Sequence, residues 1–333
     1  MHRRLRKKKT KIRRRKRKSQ AMNPSPLSPP WVDLPSDVTA NILQRLDVVE
    51  ILQTAQKVCT TWWKVCKDPS MWKVIDMRDS LPDFNIEIMC REAVDRSQGQ
   101  LTDINIGYFG TDELILYISE RCSGLKSLTL KLCCDVSSYA LREAVRNFPK
   151  LEELHLLFHC IGAEDVENIG TSCPQLKSFT LNAAGTNYPG LGHDDSWALA
   201  VSKSMLNLHH LCLLGHNMTS EGLEAILDGC PHLQSLDIRR CFSIDLNKGN
   251  LGKRCSERIK DLKFPHDAID DCNKIASEFV HCYNYYDSEF SNYSDSDLFG
   301  NYEDYSEGDY EDYTDLFADD FLASFLPGGH QYI

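Results

Sequence analysis

Apolar residues recur along most of the chain in the pattern L-x-x-L-x-L, whose last two leucines alternate as in a strand with one buried face. Six copies fit the pattern well, and they begin at Leu101, Leu125, Leu151, Leu176, Leu208 and Leu233. Their spacings are 24, 26, 25, 32 and 25 residues, and repeats of about 20–29 residues are typical of leucine-rich-repeat proteins. Degenerate copies at 72–77 and 259–264 flank the series.

A second pattern follows each predicted strand, where a polar turn leads into apolar residues at helical spacing. Leu114, Tyr117 and Ile118 are one example. Most of these helix patterns end in motifs such as RCSGL, NFPKL, SCPQL and GCPHL, in which Gly or Pro stops the helix. The repeated unit predicts an α/β fold: a leucine-rich-repeat solenoid with a parallel β-sheet on its concave side and helices on its convex side.

The segment 31–77 predicts three short helices that precede the repeats. Ser36 is the expected cap of the first helix, and Val38 and Ile42 lie on its apolar face. The three helices carry more apolar surface than so small a bundle can bury, which predicts a bound partner. The alternative is that they only cap the N-terminal end of the solenoid, because solenoids need caps.

The two ends of the chain carry opposite charge. Residues 1–22 hold 13 Lys and Arg and no acid, and residues 283–320 hold 13 Asp and Glu and no Lys or Arg. Such blocks are typical of solvated tails. We therefore predict a disordered basic, proline-rich tail over 1–30, the helical domain over 31–77, the solenoid over 78–282 and a disordered acidic, Tyr-rich tail over 283–333.

Composition argues against several functional classes. The 14 cysteines include no CxxC pair, so we expect no zinc site and no cofactor. There is no apolar run after the basic start and no stretch long enough to span a bilayer, so we expect reduced thiols, no membrane partner, and a location in the nucleus, the cytoplasm or both. No GxSxG, HExxH, P-loop or dinucleotide motif occurs, so we expect a protein without catalytic activity.

The basic tract at 1–22 has three interpretations. It fits a nuclear-localisation signal, or an arm that binds nucleic acid through counterion release. It also fits a start-site artefact, since Met22 directly precedes the proline-rich linker. The tract contains no aromatic residue for base stacking, so nucleic acid is not the expected partner.

The sequence LPSDVTANILQRLDVVEILQTAQKVCTTWWKVCKDPSMWKVIDM resembles the F-box over its full length. With the short Cys-rich repeats that follow, the chain resembles plant F-box/leucine-rich-repeat proteins over about residues 31–264. The resemblance implies the substrate receptor of an SCF-type ubiquitin ligase, whose F-box binds an SKP adaptor and, through it, cullin and RING subunits. The resemblance does not separate adaptor-binding positions from positions in the core of the F-box. The candidates for either role are Leu34, Pro35, Ile42, Leu43, Leu46, Ile51, Leu52, Val58 and Trp62.

In this interpretation the repeats hold a target protein of unknown identity for ubiquitination and proteasomal degradation. Leu128, Leu154 and Leu211 are expected to be equivalent core positions, and the alternate strand positions are expected to face the concave surface. The candidate target-binding residues are Thr129, Lys131, Glu153, His155, Asn182, Asp237 and Arg239. We expect charge reversal at Glu153, Asp237 and Arg239 to spare stability. Polar changes at Thr129, His155 and Cys212 are expected to cost far less than truncation of the core leucines. The loop 183–195, which lengthens one repeat, is a further candidate, and its His-Asp-Asp at 193–195 is more simply a polar loop than a metal or acid–base site.

The rival hypothesis is a nuclear or nucleic-acid-associated repeat scaffold, in which the helices cap the solenoid and the basic arm binds. The two hypotheses differ in whether the purified protein needs an SKP adaptor to remain soluble.

Overall fold

The computed structural model describes residues 34–79, 85–159, 161–182 and 193–268. The predicted disordered tails at 1–30 and 283–333 lie outside these ranges, as does most of the candidate loop, residues 183–192. The C-terminal limit predicted for the solenoid, residue 282, also lies outside them.

Three short helices open the described chain: α1 (Ser36–Leu43), α2 (Val48–Gln53) and α3 (Thr60–Cys66). Asp47 caps α2, because its carboxylate accepts a 2.6 Å hydrogen bond from the Glu50 N–H. The prediction that Ser36 caps α1 is wrong. Ser36 is the first helical residue, and the capping position falls to Pro35, whose carbonyl oxygen accepts from the Thr39 N–H and hydroxyl group.

The repeats form one parallel sheet of eight strands in sequential order. The strands are β1 (Val74–Met77), β2 (Asp103–Gly107), β3 (Ser127–Lys131), β4 (Glu153–Leu157), β5 (Ser178–Asn182), β6 (His210–Leu214), β7 (Ser235–Asp237) and β8 (Asp261–Lys263). The register aligns Leu128, Leu154, Phe179 and Leu211, all of them buried, which confirms the predicted core positions. Both degenerate copies are genuine repeats, because they supply β1 and β8.

One helix packs behind each successive pair of strands. These helices are α4 (Ile86–Ser97), α5 (Asp112–Arg121), α6 (Ser138–Arg146), α7 (Ala163–Ser172), α8 (Ser196–Ser204), α9 (Ser220–Gly229) and α10 (Leu251–Arg258). Three of them end at a buried cysteine, Cys122, Cys173 or Cys230. The thiols of Cys173 and Cys230 donate to carbonyl oxygens at the end of the preceding helix. The Cys-containing motifs therefore mark helix ends, as the sequence predicted.

The helical unit and the solenoid share one continuous core. β1 lies inside the predicted helical domain 31–77 and pairs with β2, so the first repeat begins before the predicted boundary at 78. Trp72 is buried and its indole N–H donates to the Cys66 carbonyl oxygen at 2.9 Å. Arg96 of α4 donates to the same carbonyl oxygen and lies over the Trp72 ring. The three helices thus cover the N-terminal end of the solenoid, whether or not they also bind a partner.

A residue with left-handed backbone conformation follows most described strands. Tyr108, Leu132, Phe158, Gly215 and Arg240 all have φ between 54° and 75°. Each donates its N–H to a carbonyl oxygen of the next repeat, as Arg240 does to Pro265 at 2.8 Å. These bonds extend the ladder one step past the strand ends.

Candidate functional site

An apolar groove opens between α1 and α3 on the surface of the helical unit. Leu34, Thr39, Ile42, Val58 and Trp62 line a volume of about 360 Å³. Ile42 and Val58 are the most exposed of these, at 43% and 51%. Thr39, the one hydroxyl-bearing residue in the lining, bonds to the Pro35 carbonyl oxygen at 3.1 Å, so it places no unsatisfied polar group in the groove. The groove can therefore accept apolar side chains of a partner.

The nine candidate adaptor-binding residues divide into two groups. Those that line the groove or lie beside it are exposed or half-buried, namely Leu34, Pro35, Ile42, Leu46, Val58 and Trp62. Leu43, Ile51 and Leu52 are buried in the core, and Leu43 is fully so. Of the two roles that the resemblance left open for these positions, their burial favours F-box core, because a side chain enclosed by its own domain has no surface to offer. They hold the helices in place.

Sequence reasoning missed two residues of this surface. Val38 precedes Ile42 by one helical turn and is 40% exposed, and Trp63 is half-exposed beside the groove residue Trp62. A large aromatic side chain left in solvent on so small a domain indicates a contact surface. The signal was present in the Trp62-Trp63 pair, but the sequence does not say which of the two tryptophans faces inward.

The candidate target-binding residues lie on the concave face, at alternate strand positions as predicted. Thr129, His155, Thr180 and Cys212 form one row across neighbouring strands. Lys131, Leu157, Asn182 and Leu214 form a second row, two residues further along each strand. Arg239 continues this second row two residues past Asp237. The structure thus brings the candidates together on one surface.

Most of these candidates are not open to solvent. Thr129, Lys131, Asn182, Asp237 and Arg239 are all buried. The guanidinium group of Arg239 is paired with the carboxylate of Asp237, with N–O distances of 2.7–3.1 Å. Breaking a buried ion pair from one side costs about 3–5 kcal/mol. The expectation that substitutions at these positions spare stability is therefore wrong for Asp237 and Arg239.

Glu153 and His155 are the open part of the candidate set. Glu153 is exposed, and His155 is half-buried with its Nδ1 at 2.9 Å from the Thr180 hydroxyl oxygen. Burial lowers the pKa of His155, although the nearby Glu153 carboxylate acts in the opposite direction. The imidazole is therefore neutral near pH 7. A neutral ring beside a hydroxyl group and an acidic side chain offers a polar contact surface.

The described end of the long loop has a structural role. Asp195 accepts two 2.7 Å hydrogen bonds from Thr219, one from its N–H and one from its hydroxyl group. Asp194 accepts from the Ser196 N–H at the start of α8. Asp195 thus joins two neighbouring repeats and Asp194 bonds locally at the start of α8, which agrees with the interpretation of 193–195 as a polar loop.

Comparisons with known proteins decide the family. A family model described as F-box-like matches residues 31–78. Putative F-box/LRR-repeat protein 23 of Arabidopsis thaliana is 50% identical over 246 residues, which cover 72% of this chain and 54% of that protein. Putative F-box/LRR-repeat protein 21 of the same plant is 45% identical, over 72% of this chain and 83% of that protein. The chain belongs to the plant F-box/LRR-repeat family.

A third relative, F-box protein SKIP19 of Arabidopsis thaliana, is 45% identical over 77% of this chain and 84% of its own length. The chain thus spans about half the length of F-box/LRR-repeat protein 23 but most of the other two. A solved chain from the yeast Rad7 and Elc1 complex overlaps 75% of this chain and 66% of its own, with a TM-score of 0.45 and 14% identity. In this family assignment α1, α2 and α3 are the F-box, and the strands and later helices are the repeats.

The buried cysteines of the F-box/LRR chain have a structural role. Burial raises the pKa of Cys90, Cys133, Cys173 and Cys241 to about 12, which leaves them protonated and unreactive. Within the described ranges all cysteines are reduced, and no group of His, Cys, Asp and Glu there is arranged to hold a metal ion. None of the described helices has the length and apolar character needed to cross a membrane.

His216 makes the stability of the folded repeats depend on pH. It is buried, its Nε2 donates to the Leu181 carbonyl oxygen at 3.1 Å, and its ring meets Trp197 edge-on. Burial lowers its pKa to about 4, whereas an unfolded histidine titrates near pH 6.5. The unfolded state therefore takes up a proton first as the pH falls below about 6.5, and the folded state loses stability until about pH 4.

Replacing His216 with Gln is expected to remove this contribution. Between pH 7 and pH 4.5 the free energy of unfolding of the intact chain should fall by about 2 kcal/mol more than that of the variant. Denaturant unfolding at the two pH values measures the difference. His193→Gln, which changes an exposed histidine near α8, is the matched control and should behave as the intact chain does. An equal fall in all three proteins would exclude His216 as the cause.

Proposed function

We propose that the protein is the non-catalytic substrate receptor of an SCF-type ubiquitin ligase. The observation that carries this proposal is the apolar groove on an F-box whose own core is already complete. Leu43, Ile51 and Leu52 fill that core, while Ile42 and Val58 remain exposed. Surface of this kind is retained when a partner covers it. The proposed partner is an SKP adaptor, which brings cullin and RING subunits to the receptor.

The proposal assigns two separate surfaces to one rigid solenoid. The F-box fixes the position of the receptor on the adaptor, and the concave face around Glu153 and His155 holds a target protein. The contribution of the receptor to ubiquitin transfer is proximity, because it holds a target lysine near a loaded conjugating enzyme. No catalytic group on the chain is needed for this role.

The direct test is capture of a purified SKP adaptor by the full chain, measured by calorimetry or surface plasmon resonance. The expected result is saturable binding at low micromolar concentration or tighter. A chain that stays soluble alone and binds no adaptor would favour the rival hypothesis, a repeat scaffold in which the three helices only cap the solenoid.

Charge reversal at Glu153 tests the concave face. Glu153→Lys is expected to weaken capture of targets found with the intact chain by about tenfold, because electrostatic complementarity selects partners. Adaptor affinity should be unchanged, since the F-box lies several repeats away. Glu167→Lys makes the same change at an exposed position on α7 of the convex side and should leave target capture intact. Equal effects of the two variants would place the target elsewhere.

A further inference from the structure

One arginine of the first solenoid helix extends into the F-box. Arg96 lies in the last turn of α4, and its side chain is only 8% exposed. Its Nη2 donates to the side-chain oxygen of Gln56, in the short turn after α2, at 3.0 Å. Its Nη1 donates to the carbonyl oxygen of Cys66, the last residue of α3, at 3.3 Å. A single guanidinium group therefore holds two separate elements of the F-box.

The contact at the end of α3 acts directly on one wall of the adaptor groove. The Cys66 carbonyl belongs to the last turn of the helix, where carbonyl groups lack helical partners and a positive charge is favourable. The Trp72 indole N–H donates to the same carbonyl oxygen at 2.9 Å, and the guanidinium group lies 5.4 Å from the centre of the Trp72 ring. The groove residue Trp62 lies one turn earlier on α3. Arg96 thus holds the helix that presents Trp62.

The rest of the guanidinium group is fixed from its own helix. The Arg96 Nε donates to Glu92, one turn earlier on α4, at 2.7 Å. Glu92 also lies 3.6 Å from the Lys67 ammonium group, directly after α3. With Nε held by Glu92, both terminal nitrogens are directed at the F-box. The planar fork of arginine suits this arrangement, whereas a lysine has only one compact ammonium group.

The apolar contact between the F-box and the solenoid does not determine their relative orientation by itself. Residues of α2 and α4 belong to one continuous core, but apolar attraction is non-directional. Hydrogen bonds require defined distances and angles. Rotation of the F-box about the apolar contact would break the bond to Gln56 or the bond to Cys66, and it would leave a buried charge with fewer partners, which is unfavourable.

We propose that Arg96 is the positioning residue that fixes the orientation of the F-box on the solenoid. It lines neither the groove nor the concave face and acts through Gln56, Cys66 and Trp72. The consequence for ubiquitin transfer rests on the proposed function. A fixed angle between groove and concave face keeps a bound target lysine at a constant position relative to the loaded conjugating enzyme.

Distances between spin labels on the full chain test the role of Arg96. One label replaces Glu50 on α2 and the other replaces Glu167 on α7, both of them exposed. The labels are attached through a ketone-bearing amino acid, because the free cysteines of the chain would compete for a thiol reagent. Double electron–electron resonance should give one narrow distance distribution. In Arg96→Met its width is expected to rise about twofold or more, because the remaining apolar contact fixes no single angle.

Two controls separate reorientation from loss of folding. A label pair at Glu113 on α5 and Glu167 lies entirely in the solenoid and should keep its narrow distribution in Arg96→Met. Arg142→Met removes the 2.8 Å bond from α6 to Asp165 of α7, which joins two solenoid helices, and should leave the distance to the F-box narrow. The proposal is overturned if Arg96→Met leaves that distance unchanged, if Arg142→Met broadens it equally, or if the solenoid pair broadens as much.

Arg96→Lys keeps the proposal testable if Arg96→Met does not fold. It retains the positive charge near the Cys66 carbonyl, but one ammonium group cannot span Gln56 and Cys66 together. An intermediate width is expected, and a width equal to that of the intact chain would refute the two-point contact. These measurements need neither adaptor nor target, so their outcome is independent of the proposed function.

Ubiquitin transfer to a captured target tests the consequence. Arg96→Met should bind adaptor and target with unchanged affinity, while the rate of transfer falls several-fold and modification spreads over more lysines of the target. A residue that served stability alone would lower capture instead. Unchanged rate and lysine choice in a variant whose distance has broadened would overturn the role of Arg96 in presenting the target. Failure of the intact chain to capture adaptor would contradict the proposed function, and the distance measurements would still decide the role of Arg96.

Discussion

Replacing Ile42 and Val58 together with Asp is expected to weaken capture of an SKP adaptor by about 100-fold or more. Both side chains are exposed in the groove of the F-box, so the free protein tolerates the change with little loss of stability. In the complex, the two carboxylates would be buried against apolar side chains without partners, which is strongly unfavourable. Titration of the variant with purified adaptor measures the loss, and thermal unfolding shows that the fold is retained.

Ile88→Asp is the matched control for this double variant. It makes the same chemical change at a residue that is 63% exposed on α4, outside the groove. Its adaptor affinity should equal that of the intact chain. Unchanged affinity in the double variant would remove the groove as the docking site, and an equal loss in Ile88→Asp would extend the interface onto the first repeat.

Replacing Leu154 with Ala is expected to destabilise the solenoid by about 2–5 kcal/mol. Leu154 is fully buried between the sheet and the helices, and the repeats on either side close around it with Leu128 and Phe179 in register. Truncation leaves a cavity that neighbouring repeats fill only in part. Urea unfolding monitored by circular dichroism measures the difference.

Leu157→Ala on the same strand is the control, because Leu157 lies on the concave side and is half-buried. We expect its cost to be less than half that of Leu154→Ala. Equal costs would contradict the division of β4 into a core face and a concave face. The expectation that polar changes at Thr129 are as mild as those at His155 and Cys212 is revised, since Thr129 is buried and the other two are half-buried.

The repeat period and the spacing of leucines were sufficient to predict the solenoid, the register and both flanking degenerate strands. A large apolar residue, most often leucine, is buried at the same position in each repeat, so local pattern and tertiary packing agree. The F-box helices were predictable for the same reason. The sequence pattern did not indicate that β1 joins the sheet directly after Trp72, so that the F-box and the solenoid share a core.

Which apolar residues of the F-box are interface and which are core depended on the tertiary structure. Ile42 and Leu43 are adjacent, equally apolar and both match the family pattern, yet one is exposed and the other fully buried. Successive helical residues point about 100° apart, and only the packing of the three helices determines which direction is inward. The same holds for the Trp62-Trp63 pair.

By itself the sequence determined the repeat fold, the F-box, and which face of each strand points to the core, because these follow from local periodicity. Only the tertiary structure decided that Asp237 and Arg239 pair with each other and that Leu43 is buried while its neighbour Ile42 is exposed. Those outcomes depend on which neighbours the packing of the chain brings to each side chain. Alternation within a strand shows which way a side chain points but not what it meets there.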